Sequence, residues 1–278
     1  MDERQQGEDP VPGGERRPLS RRRLLGSLGV AAAGMAAATV IPLSQIPVAE
    51  TKTETHGKTN QAAGSKRQWA FVIDLRRCDG CKACTDACQK EHYLPKDQEW
   101  IKVLKSTDDA GRNSYFVRIC NMCENPPCLK VCPTAATFKR DDGIVLVDQS
   151  KCIGCRMCMV ACPYEARYFN YHEPLKPKTP FANPMPEFPV PQQKGTVGKC
   201  ILCVHNAEKG KVPFCVEACT MDALYIADLN SDVMTNSSSQ TYQLSKFLYD
   251  NDAYRYKEEL NTSPRVWYVA GHGQDLEF

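Results

Sequence analysis

Sixteen cysteines constrain this chain of 278 residues more than any other feature of its sequence. They form four groups of four between Cys78 and Cys219, and most neighbouring cysteines within a group are separated by two or three residues. A disulfide scaffold is the first alternative for a chain so rich in cysteine. Cysteines this close share one tight turn and point toward a common centre, which suits several thiolates on one metal centre better than pairwise disulfides.

Groups one and three follow the spacing C-x2-C-x2-C-x3-C, the run that holds 4Fe–4S clusters in bacterial ferredoxins. Three cysteines of such a run bind one cluster, and the fourth binds a different one. Gly80 and Gly154 precede the second cysteine, where the loop must turn sharply. Group one is Cys78, Cys81, Cys84 and Cys88, and group three is Cys152, Cys155, Cys158 and Cys162.

Groups two and four have the same first and last spacings but a longer middle loop. Group two is Cys120, Cys123, Cys128 and Cys132, and group four is Cys200, Cys203, Cys215 and Cys219. Taken alone, group four also suits tetrahedral zinc. Because three ferredoxin-like groups accompany it, an iron–sulfur cluster is the favoured interpretation.

The stretch between groups two and three predicts two strands around an Asp141-Asp142-Gly143 turn, the compact layout of a ferredoxin hairpin. We therefore expect groups two and three to form one ferredoxin-like unit, and groups one and four the other. Pairing of one with two, and of three with four, is the competing arrangement. The favoured ligand sets are Cys78, Cys81, Cys84 and Cys219; Cys200, Cys203, Cys215 and Cys88; Cys120, Cys123, Cys128 and Cys162; and Cys152, Cys155, Cys158 and Cys132.

The overall pattern predicts an α+β fold of short strands and helices with long loops, in which two ferredoxin-like units hold four 4Fe–4S clusters. Strands are expected at residues 69–75, 114–119, 166–171, 223–228 and 265–270, and a helix at 241–249. Short helices should also begin near the third cysteine of each group. The four-cluster domain is predicted over residues 67–230, with a C-terminal extension over 231–278 whose helix packs on it.

Residues 1–45 resemble a twin-arginine export signal, because SRRRLL at residues 20–25 opens an apolar run rich in alanine and glycine. A polar linker is predicted over residues 46–66. The twin-arginine route carries folded proteins, which suits a chain that acquires clusters before export. We expect the protein on the periplasmic side of the cytoplasmic membrane, with the signal either cleaved or retained as an anchor.

The segment 172–199 is a proline-rich insertion that can form neither a helix nor a central strand. It is predicted to be an extended loop that lies on a partner subunit, because its apolar side chains would otherwise be exposed. A plain spacer is the alternative. The apolar side chains are Phe181, Met185, Phe188 and Val190.

A net charge of +2 excludes a typical nucleic-acid-binding protein. No nucleophile–base pair or dinucleotide-binding loop is evident, so no catalytic residue is predicted. The five histidines lack ligand spacing and are expected on the surface or in loops, although His205 lies close enough to Cys203 to influence that cluster. Cations near the cysteines should raise the reduction potential of any cluster they approach; these are Arg76, Arg77, Lys82, Arg156 and Arg167.

The chain resembles the iron–sulfur subunits of the dimethyl sulfoxide reductase superfamily, especially exported members of the tetrathionate reductase B and nitrite-reductase-associated ferredoxin-like types. The resemblance rests on FVIDLRRCDGCKACTDAC, CNMCENPPCLKVCPTAATFKRDDGIVLVD and KCIGCRMCMVACPYEARYFN. It implies a non-catalytic subunit that passes single electrons between a quinone-reactive integral membrane subunit and a molybdopterin-type catalytic subunit.

Three other interpretations remain open. The first is a relay subunit of a hydrogenase or of a sulfur-cycle membrane complex without molybdenum. The second is a free-standing enzyme, which would need an open coordination position, whereas sixteen cysteines complete four clusters. The third is a structural or sensor protein stapled by metal, whose clusters need not reduce reversibly.

Overall fold

A computed structural model describes residues 67–173, 175 and 191–271. The predicted export signal, the polar linker and most of the proline-rich insertion lie outside the described residues. The fold is α+β and consists of short elements, as predicted. In chain order these are β1 (Trp69–Asp74), α1 (Ala83–His92), β2 (Ile101–Thr107), β3 (Asn113–Ile119), α2 (Pro127–Lys130), β4 (Thr137–Lys139), β5 (Val145–Val147), α3 (Met157–Val160), β6 (Tyr168–Phe169), β7 (Val197–Gly198), α4 (Val204–Ala207), α5 (Phe214–Glu217), β8 (Leu224–Asp228), β9 (Val233–Thr235), β10 (Thr241–Gln243), α6 (Leu244–Asp250), a 3-10 turn (Glu258–Leu260) and β11 (Val266–Val269).

The largest sheet has five strands in the order β10-β9-β8-β1-β11. Strand β1 lies inside it, antiparallel to β8 and parallel to β11. Its side chains alternate between two cores: Phe71 and Ile73 face the core that contains the cysteines, whereas Ala70 and Val72 face a smaller core on the other side. Burial on both faces explains why this strand is almost entirely apolar.

The smaller core is closed by α6. Leu244 is buried in it, and Phe247 and Leu248 pack against its edge. The helix begins at Leu244 rather than at residue 241, because Thr241–Gln243 pairs with β9 as strand β10. The predicted helix was therefore three residues too long at its start, although its packing on the main fold is confirmed.

Residues beyond 230 supply three of the five strands of this sheet, β9, β10 and β11. Strand β11 pairs with the central strand β1 over Phe71–Asp74 and Val266–Val269. The C-terminal segment is thus built into the sheet that carries group one.

Two smaller sheets flank the cysteines. Strands β2 and β3 form a seven-residue antiparallel hairpin, of which the sequence analysis identified only β3. Strands β4 and β5 pair around the predicted turn, where Gly143 has a φ of 87° and packs against the guanidinium of Arg265. The predicted ferredoxin hairpin is confirmed.

Short helices at the third cysteines are confirmed in every group. Cys84, Cys128, Cys158 and Cys215 lie in α1, α2, α3 and α5, respectively. The strand predicted at 166–171 is reduced to Tyr168–Phe169, because its partner β7 offers only two residues. Within the described residues, no helix is both long enough and apolar enough to cross a lipid bilayer.

Candidate functional site

All sixteen cysteines lie in the described part of the chain, and each is a free thiol. Their side chains gather into four quartets, each formed by three cysteines of one group and one of another. We name the quartets sites A to D in their spatial order. No three His, Cys, Asp or Glu side chains of the described residues converge as they would around one metal ion.

Site A lies between group one and the end of group four. Its cavity is lined by Cys78, Cys81 and Cys84 together with Cys219. Apolar side chains of β2, β3 and β8 close the cavity, among them Val103, Val117 and Leu224. Cys81 is exposed, so site A reaches the surface of the protein.

Site B is formed by Cys200, Cys203 and Cys215 of group four and Cys88 of group one, all of which are buried. Burial raises the pKa of the Cys88 and Cys215 thiols well above the usual value, and negative charge on the other sulfurs raises it further. Cys88 thus lies near Cys200 and Cys203, and Cys215 lies near all three.

Sites C and D use groups two and three. The cavity of site C is lined by Cys120, Cys123, Cys128 and Cys162. The cavity of site D is lined by Cys152, Cys155, Cys158 and Cys132. Groups two and three thus exchange their last cysteines, as do groups one and four. The structure brings together the favoured sets of the sequence analysis; their binding of iron stays a prediction.

The four sites are neighbours in the order A, B, C and D. Helix α1 carries Cys84 of site A and Cys88 of site B. Cys200 of site B lies near enough to Cys120 of site C for charge on one sulfur to affect the other. Cys128 of site C and Cys158 of site D are close enough for the same effect. The exposed thiols, Cys81 and Cys155, belong to the first and the last site of this order.

Each cysteine loop turns through the same backbone conformation. The residue before the second cysteine has a positive φ in all four groups, namely Gly80, Met122, Gly154 and Leu202. A Cβ atom on Gly80 would overlap the ring of Tyr115, and one on Gly154 would overlap the carbonyl oxygen of Gly195. A backbone contact therefore requires glycine at position 154, and a side-chain contact favours it at position 80, whereas groups two and four accept larger residues at an equivalent turn.

Several sulfurs accept hydrogen bonds from this chain. Backbone N–H groups of Leu202, Ala223 and Thr137 donate to Sγ of Cys200, Cys219 and Cys132, at 3.3, 3.3 and 3.4 Å. Burial opposes ionisation of Cys132, but the hydrogen bonds from Thr137 and Thr134 outweigh it and lower the pKa of its thiol. Such donors stabilise negative charge on sulfur, whether thiolate or cluster ligand.

At Cys84 and Cys123 the net pKa shift is upward, because burial is the larger effect. Burial raises the pKa of each thiol to about 12, so these free thiols are neutral at pH 7. Iron must therefore displace their protons when it binds. Sixteen unpaired soft sulfurs in four quartets, three of which accept backbone N–H hydrogen bonds, suit iron–sulfur clusters.

His92 corrects a prediction, because it is neither exposed nor in a loop. It ends helix α1, is only 1% exposed, and places Nε2 3.2 Å from Sγ of Cys203. Its ring packs among Trp100, His205 and Phe214. No sequence spacing linked His92 to group four, since 111 residues separate it from Cys203.

The five predicted cations differ sharply in their surroundings. Arg76 pairs with Asp74 at 2.8 Å, and Arg77 donates to the hydroxyl of Tyr225. Lys82 and Arg156 are exposed. Arg167 alone among these five is buried. A further buried cation, Lys199, was missed; its Nζ donates to the carbonyl oxygen of Cys200 at 2.6 Å.

Comparisons with known proteins agree with this geometry. Residues 112–182, which carry group two and group three, match the family model described as a 4Fe-4S dicluster domain. The chain is 34% identical to the B subunit of tetrathionate reductase from Salmonella typhimurium over 90% of this chain and 88% of that protein. It is 37% identical to the B subunit of selenate reductase from Mesobacillus selenatarsenatis, covering 73% and 72% of the two chains. It is 33% identical to the arsenate respiratory reductase iron-sulfur subunit of a Shewanella species, covering 73% and 96%.

Proposed function

Because the chain belongs to the family of iron–sulfur B subunits of dimethyl sulfoxide, tetrathionate, selenate, arsenate and polysulfide reductases, we propose that it relays single electrons through four 4Fe–4S clusters. The observation that carries the proposal is the succession of four neighbouring cysteine quartets, with an exposed thiol in the first and in the last. A bound 4Fe–4S cluster supplies reversible one-electron storage.

The residues that would hold the clusters are the four quartets. Site A would use Cys78, Cys81, Cys84 and Cys219; site B, Cys200, Cys203, Cys215 and Cys88; site C, Cys120, Cys123, Cys128 and Cys162; and site D, Cys152, Cys155, Cys158 and Cys132. Each quartet satisfies one cubane completely, which leaves no position for a substrate. This completeness favours a relay over a catalyst.

The protein contributes to the relay by burying the clusters and by donating hydrogen bonds to their sulfurs. All four cysteines of site B are buried, as are Cys123 and Cys128 of site C, so these inner sites are less open to water than the outer ones. N–H donors hold the sulfurs in place and stabilise added negative charge. The outer sites open to the surface at Cys81 and Cys155, where electrons can enter and leave.

The surroundings of the outer sites support docking of partner subunits. Ile153, Met157 and Val160 lie on and beside the group-three loop and are 67%, 52% and 85% exposed. Met221 is 42% exposed beside site A. Exposed apolar side chains of this size are typical of protein–protein contacts. We assign these two surfaces to a molybdopterin-type catalytic subunit and a quinone-reactive integral membrane subunit.

The same proposal includes the organisation of the whole chain. Residues 1–45 would direct export by the twin-arginine route to the periplasmic side of the cytoplasmic membrane, residues 46–66 would form a linker, and the insertion at 172–199 would lie on a partner. What supports it is the order of basic, apolar and polar segments in the sequence.

Anaerobic purification of the tagged full chain from membranes tests the relay. We expect about sixteen irons and about sixteen acid-labile sulfides per chain, reversible one-electron reduction by EPR-monitored titration, and a co-purifying molybdopterin subunit. A co-purifying hydrogenase or a partner without molybdenum would favour the alternative complex. Zinc or cystines in place of iron would contradict the proposal.

A further inference from the structure

Arg167 is a buried cation with no anionic side chain beside it. It is 4% exposed, and within the part of the chain that the structure describes no carboxylate lies within the 4.0 Å of an ion pair. Its Nη1 donates to the hydroxyl of Thr137 at 3.3 Å, and its Nη2 has no hydrogen-bond partner among the described residues. Because a guanidinium stays protonated, burial without a counter-charge is strongly unfavourable.

The guanidinium lies at the junction of two cysteine quartets. Arg167 lines the cavity of site C, and its partner Thr137 lines the cavity of site D. Burial opposes its charge, but negative charge on Cys128, Cys158 and Cys120 outweighs burial and raises the pKa of Arg167. The missing counter-charge is therefore available only from sulfur ligands of sites C and D.

No other cation of the predicted set has this arrangement. Arg76 is neutralised by Asp74, and Arg77 is shared between Tyr225 and Asp222. Arg156 is exposed and stacks its guanidinium 4.1 Å from the ring centre of Phe169. Water and neighbouring groups screen these charges, whereas burial removes Arg167 from water.

We propose that Arg167 is a buried counter-cation shared by the clusters of sites C and D, and that it holds the reduction potentials of both clusters above those that their cysteines alone would give. The inference rests on the proposed function, since it requires clusters at these sites. A fixed positive charge in a medium of low dielectric constant favours the state with one more electron. Arg167 itself transfers no electron and affects the relay only through the potentials of the two clusters.

The structure also predicts where the effect stops. Sites A and B have no contact with Arg167 among its described interactions, so their potentials should stay unchanged when its charge is removed. A general loosening of the fold would instead affect all four clusters.

The test compares Arg167→Gln, which removes the charge, with Arg167→Lys, which keeps it. Arg112→Gln is the matched surface control, because the Arg112 side chain is 80% exposed and lines none of the cavities of sites A, C and D. Each full-length protein is prepared anaerobically, and its iron content and EPR-monitored potentials are measured. In Arg167→Gln we expect two of the four reduction potentials to fall by at least 59 mV, which is a tenfold change in the one-electron reduction equilibrium. Arg167→Lys should retain most of the wild-type values, and Arg112→Gln all of them.

Each outcome either supports or contradicts the role proposed for Arg167. If Arg167→Gln loses the iron of two clusters while Arg167→Lys keeps it, a positive charge is needed to retain them and the proposal stands. Unchanged potentials in an iron-replete Arg167→Gln protein would overturn it. So would equal losses of iron or potential in the Lys and Gln variants, because shape rather than charge would then matter. Wild-type protein without iron–sulfur signals would instead defeat the proposed function.

Discussion

The imidazole of His92 directs one nitrogen at a sulfur. Nε2 lies 3.2 Å from Sγ of Cys203, and Nδ1 is buried with no hydrogen-bond partner among the described residues. Burial, with a smaller effect from His205, lowers the pKa of His92 to about 3, so the ring is neutral at pH 7 and has one N–H. If site B holds a cluster, Sγ of Cys203 is an anionic ligand, so the hydrogen belongs on Nε2.

Replacing His92 with Phe should lower the potential of the site B cluster. The lost hydrogen bond removes about 1 kcal/mol of preference for the reduced form, or roughly 40 mV for one electron. EPR-monitored titration measures the shift, and His172→Phe, at an exposed position, is the matched control. A potential equal to that of the wild type would show that this hydrogen bond has no influence on the cluster.

The cysteine loops show how a short element constrains its residues. Gly154 has a φ of 69°, and a Cβ atom there would meet the backbone carbonyl of Gly195. A Cβ atom on Gly80 would meet the side chain of Tyr115, which can move. Gly210 has a similar φ of 70° but open space around its Cα. The three glycines therefore separate the cost of a left-handed conformation from the cost of a clash.

We expect Gly154→Ala to destabilise the folded protein more than Gly210→Ala. The Gly210 variant should lose only the left-handed preference, about 1 kcal/mol. The Gly154 variant adds displacement of a backbone that packs against site D, for a total of about 2–4 kcal/mol. Anaerobic denaturant unfolding, followed by cluster absorbance, measures both. Equal losses in the two variants would mean that the loop moves aside freely.

The whole molecule is organised around exchange of cysteines between distant groups. Cys219 joins a quartet whose other members lie 135 or more residues earlier in the sequence. Sheet pairing makes this possible, because β8 follows group four and lies antiparallel to β1, which leads into group one. The sheet therefore fixes which groups meet, and in what order the four sites lie.

Replacing Cys219 with Ser should remove or weaken the cluster of site A alone. About four of sixteen irons would be lost or rebound weakly, and one EPR signal should change. Cys132→Ser, which changes the equivalent position of site D, is the matched control and should affect a different signal. Loss of the same signal in both variants would contradict the exchange between groups one and four.

Much of the fold was predictable where cysteine spacing and short-range pattern suffice. The loops, the helices at the third cysteines, the ferredoxin hairpin and strand β1 all follow from interactions close in sequence. Strand β2 and the two-residue β6 were not identified correctly, because their extent depends on partners rather than on their own pattern.

That sixteen thiols lie in four tight loops follows from the sequence alone, because the spacing of cysteines and glycines sets local geometry. The fold adds three features that no local pattern indicates: His92 meets Cys203, Arg167 lies between two quartets, and β10 replaces the start of a helix. These contacts join residues from 30 to more than 100 positions apart in the first two cases, and sheet pairing decides the third. Local propensity carries no information about such partners, whereas burial and charge in the folded core decide them.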